Sequence, residues 1–163
     1  MNAVDAPLGL ANILTVLCAL VCLWSVLPEK RGGIIQARLL ALSAGFAGVV
    51  ALVLLAGVFE ATLAHDAEWT AALLLGAVIG RARGWSLPFE IALPSDVAVL
   101  RARWDGVFVA AGIAAAALVD FASAALEQPL IHPVHVAAGA AFCAGFLGSR
   151  ALAILVRLER RAH

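Results

Sequence analysis

The feature that most constrains this chain is a set of apolar runs, each as long as a bilayer core is thick. A spanning helix needs roughly 20 apolar residues at about 1.5 Å each. Residues 8–27, 39–59, 107–126 and 134–156 all meet that length. Between the second and third runs lies a less regular stretch. Residues 69–80 are apolar but supply only about 18 Å of helix. Extending that stretch backward brings His65, Asp66 and Glu68 to the headgroup layer. The expectation is an all-α integral membrane bundle of about five transmembrane helices, the third short or tilted.

Composition supports this class. Apolar types make up 64% of the 163 residues and charged types 13%, against about 45–50% and about 25% in soluble domains. Mean hydropathy is +1.02. A soluble enzyme, a disordered tail and a nucleic-acid module are excluded. The net charge is 0, so no basic field draws in polyanions. Residues 1–163 read as one domain.

The basic residues sort cleanly. Lys30, Arg31 and Arg38 follow the first run. Arg81, Arg83, Arg101 and Arg103 follow the third. Arg150, Arg157, Arg160 and Arg161 end the chain, which accounts for all 11. The opposite side carries Asp5, Glu60, Asp66, Glu68, Asp120 and Glu127. Five crossings put every cluster on one side, as the positive-inside rule requires. The expected location is a bacterial inner membrane, with the N-terminus outside and the C-terminus cytoplasmic. Trp24, Trp69, Trp85 and Trp104 fall near the expected interfaces, where amphipathic indoles prefer to sit. The first run is too long for a signal-peptide core and follows Asp5 rather than basic residues, so no cleavable signal is expected.

Lipid provides no hydrophobic drive between helices, so small residues must let backbones approach. Gly76 and Gly80 form a GxxxG pair. Ala41/Gly45, Ala44/Gly48, Gly139/Cys143, Ala141/Gly145 and Ala144/Gly148 repeat that spacing. Internal packing is the expected use, ahead of dimerisation. The first run carries instead a soft polar stripe, Asn12, Thr15, Cys18, Cys22 and Ser25, within an arc of about 140°. Its expected role is helix cross-linking, with the lining of a small-molecule cleft as the alternative.

Between the third and fourth helices, Phe89-Glu90-Ile91-Ala92-Leu93, the turn signal Pro94-Ser95-Asp96 and Val97-Ala98-Val99-Leu100 predict a small cytoplasmic β-hairpin. The arginines at its base suit an anionic leaflet. Several features run together over roughly residues 69–160: the stretch Gly76-Ala77-Val78-Ile79-Gly80-Arg81-Ala82-Arg83-Gly84, this hairpin, the lead-in Leu100-Arg101-Ala102-Arg103-Trp104, and two spans with a basic end. This order resembles the CcdC-like group of small bacterial membrane proteins. The resemblance implies a small multi-span inner-membrane protein. It carries over no catalytic residue, although the group's name is borrowed from cytochrome c biogenesis.

Three places carry candidate chemistry. On the outer face, His65, His132 and His135 stand near Asp66 and Glu68. His132 and His135 are spaced i, i+3 at the start of the last span, with Pro133 suited to a first helical position. Two imidazoles and a carboxylate suit zinc, copper or iron, so these histidines are candidate metal ligands. The plainer alternative is a polar collar, and His65 with His135 as haem ligands is a remoter one. Second, Asp120 lies about 9 Å below Leu126 along an apolar helix, with Ser123 and Glu127 on the same face. An intramembrane carboxylate is costly and is a candidate functional group. Arg150 lies too deep to pair with it and is expected to snorkel inward. Third, Cys18 and Cys143 fall at similar depths, where a cross-helix thiol pair is conceivable.

The expected function is non-enzymatic. The chain reads as an accessory or scaffold subunit that meets lipid and other membrane subunits, or itself, and needs no cofactor. The alternative is a small transporter, or a redox- or metal-handling protein using Asp120, the outer histidines or the cysteines.

Overall fold

The computed structural model describes residues 9–58, 62–87, 89–92, 97–100 and 102–162. Among them the elements run α1 (Leu10–Arg31), β1 (Gly33–Gln36), α2 (Ala37–Ala56), α3 (Leu63–Ser86), β2 (Phe89–Ala92), β3 (Val97–Leu100), α4 (Asp105–Ala125) and α5 (Pro133–Ala162). The fold is a helical bundle. Helices α1, α2, α4 and α5 are long and apolar enough to cross a membrane. Phe59, expected to close the second span, lies outside the described residues, as does Glu60.

Helix α3 corrects the expectation of a short third span. It has 24 residues, about 36 Å of helix. Thr62 caps it, its Oγ1 accepting from the His65 amide, and Asp66 in the first turn suits the helix dipole. The polar ends, His65 to Glu68 and Arg81 to Arg83, belong to the helix and dilute its hydropathy. That dilution is why an apolar count stops at residues 69–80.

α3 lies along α5, its main neighbour in the bundle. Gly76 meets the carbonyl of Phe142, Gly80 that of Phe146, and Gly84 the Arg150 backbone and the Ala153 side chain. From the other side Gly145 meets the Leu73 carbonyl. The partner number rises in step with the α3 number, so the two helices run parallel. α3 therefore packs alongside the middle of α5 from Leu73 to Gly84. The GxxxG pair is used internally, as expected, and Gly84 extends it by one more turn. Not every small residue is so used. A Cβ on Gly45, Gly48, Gly139 or Gly148 would meet nothing within 4 Å.

The expected hairpin is present as β2 and β3, antiparallel from Phe89↔Leu100 to Ala92↔Val97; its turn, Pro94-Ser95-Asp96, lies outside the described residues. The third strand was not expected. β1 pairs with the other edge of β3, from Gly33↔Leu100 to Gln36↔Val97, giving the order β1-β3-β2. Gly32 makes this possible. Its φ is +69° and a side chain there would strike the Ala102 backbone, so only glycine fits. The sheet joins the α1–α2 and α3–α4 connections at one end of the bundle. That end holds the described members of the basic clusters.

The core is built largely of alanine. Ala19, Ala47, Ala51, Ala110, Ala114, Ala117, Ala137, Ala140 and Ala144 pack with Cys22, Val26, Val50 and Ile113. A smaller cluster of Leu40, Leu87, Ala151, Ile154 and Leu158 fills the sheet end. Outside, Leu52, Leu74, Val78, Phe108, Leu118 and Leu152 are exposed. So many large apolar side chains on every outer face suit hydrocarbon rather than water.

The glycine seam makes a direct prediction. Gly80→Leu forces α3 off the Phe146 carbonyl and lowers stability by about 1–3 kcal/mol. Gly139→Ala, at an open position, is neutral or stabilising by up to about 1 kcal/mol. Thermal unfolding of the two variants in one mild detergent checks both.

Candidate functional site

The end of the bundle opposite the sheet opens into a cleft of about 730 Å³ between α1, α2, α4 and the α4–α5 connection. Asn12 and Thr15 of α1 line one wall, Val53 and Leu54 of α2 another. Asp120, Ser123 and Glu127 line the α4 side, and residues 128–133 with Val136 close the rim. The volume falls within the range of small-molecule sites, about 300–1,000 Å³.

Asp120 faces the bundle, where the cost of exposing a carboxylate to lipid would put it. Its Oδ2 accepts from the Asn12 side-chain amide at 3.2 Å. That bond also ties α1 to α4. Asn12 is itself held, its Oδ1 accepting from the Gly9 amide at the start of α1. The rest of the polar stripe cross-links less than expected. Thr15 and Ser25 donate to carbonyls of their own helix, Ala11 and Cys22. Only Cys22 reaches across, to the Ser43 carbonyl of α2. The reason is general: hydroxyls in helices bond readily to the preceding turn.

The C-terminus of α4 shapes the cleft rim. Glu127 has φ 52°, the left-handed region in which glycine is usual. The Gln128 amide donates to the Ser123 carbonyl and the Glu127 amide to that of Ala124, the two bonds of a Schellman cap. Ser123 Oγ donates to the Val119 carbonyl and accepts from the Leu130 amide. The connection is thus pinned, and a carboxylate occupies a position that glycine would fill with less strain.

The three outer histidines come together at the cleft's edge. The His132 ring lies 6.2 Å from His65 and 5.7 Å from His135, centre to centre. His135 Nδ1 is 2.7 Å from Glu68 Oε1, and both side chains are largely exposed. Among the described residues no three His, Cys, Asp or Glu side chains form a metal-holding group. His132 lines the cleft. His65 instead lines a smaller pocket of about 120 Å³ with Asp66 and Trp69. The Trp69 indole N–H is buried without a hydrogen-bond partner.

All three cysteines are free. Cys22 is buried, and Cys18 and Cys143 both pack against the core cluster that contains it.

At the inner end the expectation for Arg150 is overturned. It does not snorkel. Nη1 and Nη2 donate to Glu29 Oε1 and Oε2 at 3.1 and 2.7 Å, and both side chains are only 3% exposed. The fork passes over Gly106 of α4, where a Cβ would lie 2.6 Å from Glu29 Oε2. Glu29 was missed because the first apolar run stops at residue 27, whereas α1 continues through Pro28 to Arg31. The usable signal was Gly32, which suits a position just past a helix terminus. Beside this pair Arg83 of α3 holds Asp105 of α4 at 2.8 Å. Arg157 donates to the Gly84 and Leu87 carbonyls, and Lys30 sits 4.4 Å over the Trp104 ring. The inner end is closed by charge pairs where the outer end is open.

No family model, curated protein or solved structure matches this chain.

The Glu29–Arg150 pair predicts a non-additive cycle. Glu29→Ala or Arg150→Ala alone leaves a buried charge and costs about 3–5 kcal/mol. The double replacement Glu29→Leu with Arg150→Met costs much less than the sum. Thermal or denaturant melts of the three variants measure the difference.

Proposed function

We propose that this chain is a non-enzymatic protein of the bacterial inner membrane that works as an accessory component by holding a small molecule in its outer cleft. The observation that carries this reading is the cleft of about 730 Å³ with an intramembrane carboxylate on its wall. Its lining mixes the apolar walls of Val53, Leu54, Ile131 and Val136 with a few fixed polar groups, the composition of a binding pocket. Asp120 is held by an amide, an arrangement that orients a carboxylate. The sorting of Lys and Arg to one end supports an outside N-terminus and a cytoplasmic C-terminus. The cleft then faces outward, and the sheet and charge pairs face the cytoplasm. The resemblance to the CcdC-like group agrees with a small multi-span inner-membrane protein.

Ala124 lines the cleft beside Ser123, so Ala124→Trp obstructs this wall of it without touching a charge. Native mass spectrometry of the gently purified protein is expected to show a bound small molecule that Ala124→Trp loses, at an unchanged melting temperature. An identical bound population in both proteins, or none in either, contradicts the reading.

A further inference from the structure

The charges around the outer cleft define what it accepts. Asp120 has a neutral partner, the Asn12 amide. Glu127 stands further out on the same wall. The Lys and Arg residues of the described helices lie at the sheet end of the bundle or in the last helix near it. Among the described residues neither carboxylate has a Lys or Arg ion-pair partner. Of the lining groups, only His132 is able to become positive.

A carboxylate at this depth needs either a proton or a positive neighbour. Among the described residues no fixed cation reaches it, and an open cavity lies beside it. Glu127 adds a second negative group while held at φ 52°, a conformation that costs a non-glycine residue energy. A glycine would relieve that strain and remove the charge. The remaining walls are mainly apolar and wide enough for a ring system or branched hydrocarbon.

Resting on the reading of the cleft as a binding site, we propose that it is selective for hydrophobic organic cations, with Asp120 holding the positive centre and Glu127 attracting it at the mouth. The apolar body of the ligand lies against Val53, Leu54 and Val136. Anions are disfavoured by both carboxylates. Neutral molecules of the same shape gain the apolar contact and lose the Coulombic one. With the inner end closed by Glu29 and Arg150, the ligand enters and leaves from the outer side in this conformation.

Three probes of similar bulk separate the possibilities: tetraphenylphosphonium, tetraphenylborate and neutral triphenylphosphine oxide. Equilibrium dialysis against the full-length protein in detergent, with empty micelles as the blank, measures each. The expected result is saturable phosphonium binding at least tenfold tighter than that of either other probe. Asp120→Asn should weaken it tenfold or more, because the amide keeps the size and loses the charge. Glu127→Gly should weaken it less, about two- to fivefold, while raising the melting temperature. Ala124→Trp should abolish it, which keeps the test valid if Asp120→Asn folds poorly. Equal or tighter binding of the borate or the oxide overturns the inference. So does phosphonium binding that is indifferent to both Asp120→Asn and Ala124→Trp. If the borate or oxide binds and Ala124→Trp removes it, the cleft remains a binding site and only its charge selectivity falls. If none of the three binds, the charge inference fails, and the broader reading then stands or falls on the co-purified molecule.

Discussion

Backbone approach between α3 and α5 is the interaction on which the rest of this bundle depends. In lipid, apolar side chains gain little by meeting one another rather than acyl chains. What remains is close packing, and the seam of Gly76, Gly80 and Gly84 against the Phe142, Phe146 and Arg150 backbone supplies it. Without that seam α3, polar at both ends, would be the helix least suited to crossing a membrane. With it, α3 is held parallel to α5 from Leu73 to Gly84. The α3–α4 connection is thereby delivered to the end where the α1–α2 connection lies, and β1 can close on β3.

The two ends then solve the problem of charge differently. At the sheet end, Glu29 and Arg150 join in a two-pronged pair, and Arg83 and Asp105 join α3 to α4. Buried pairs of this kind add little net stability, since desolvation offsets attraction. They do penalise any arrangement that separates the partners, and so hold α1, α4 and α5 in register. At the other end the links between helices are lighter, an amide on Asp120 and an exposed imidazole on Glu68. A bundle clamped at one end and lightly tied at the other keeps a cleft where it is lightly tied.

Hydropathy, charge sorting and small-residue spacing made the membrane class, the five-helix order and the β2–β3 hairpin legible in the sequence. The inward orientation of Asp120 was legible too, because the cost of lipid exposure leaves one direction. Three features were not. The length of α3 was hidden because hydropathy averages over polar ends that are nonetheless helical. β1 was hidden because a four-residue strand carries no periodicity of its own and exists only by pairing. The Glu29–Arg150 pair was hidden because its residues are 121 apart and the first apolar run stops at residue 27, before Glu29 is reached. Likewise, the cleft itself is a matter of helix tilt and of the Schellman cap at Glu127, neither of which composition reports.

The account rests on a cleft that opens outward while the sheet end faces the cytoplasm. Thiol labelling in intact cells tests this most directly, with Cys18, Cys22 and Cys143 replaced by alanine and a single cysteine placed at Ser123 in the cleft or at Ser86 beside the sheet. A membrane-impermeant maleimide is predicted to label Ser123→Cys from outside and Ser86→Cys only after permeabilisation. Labelling of Ser86→Cys from outside, or protection of Ser123→Cys until the cells are opened, would contradict it.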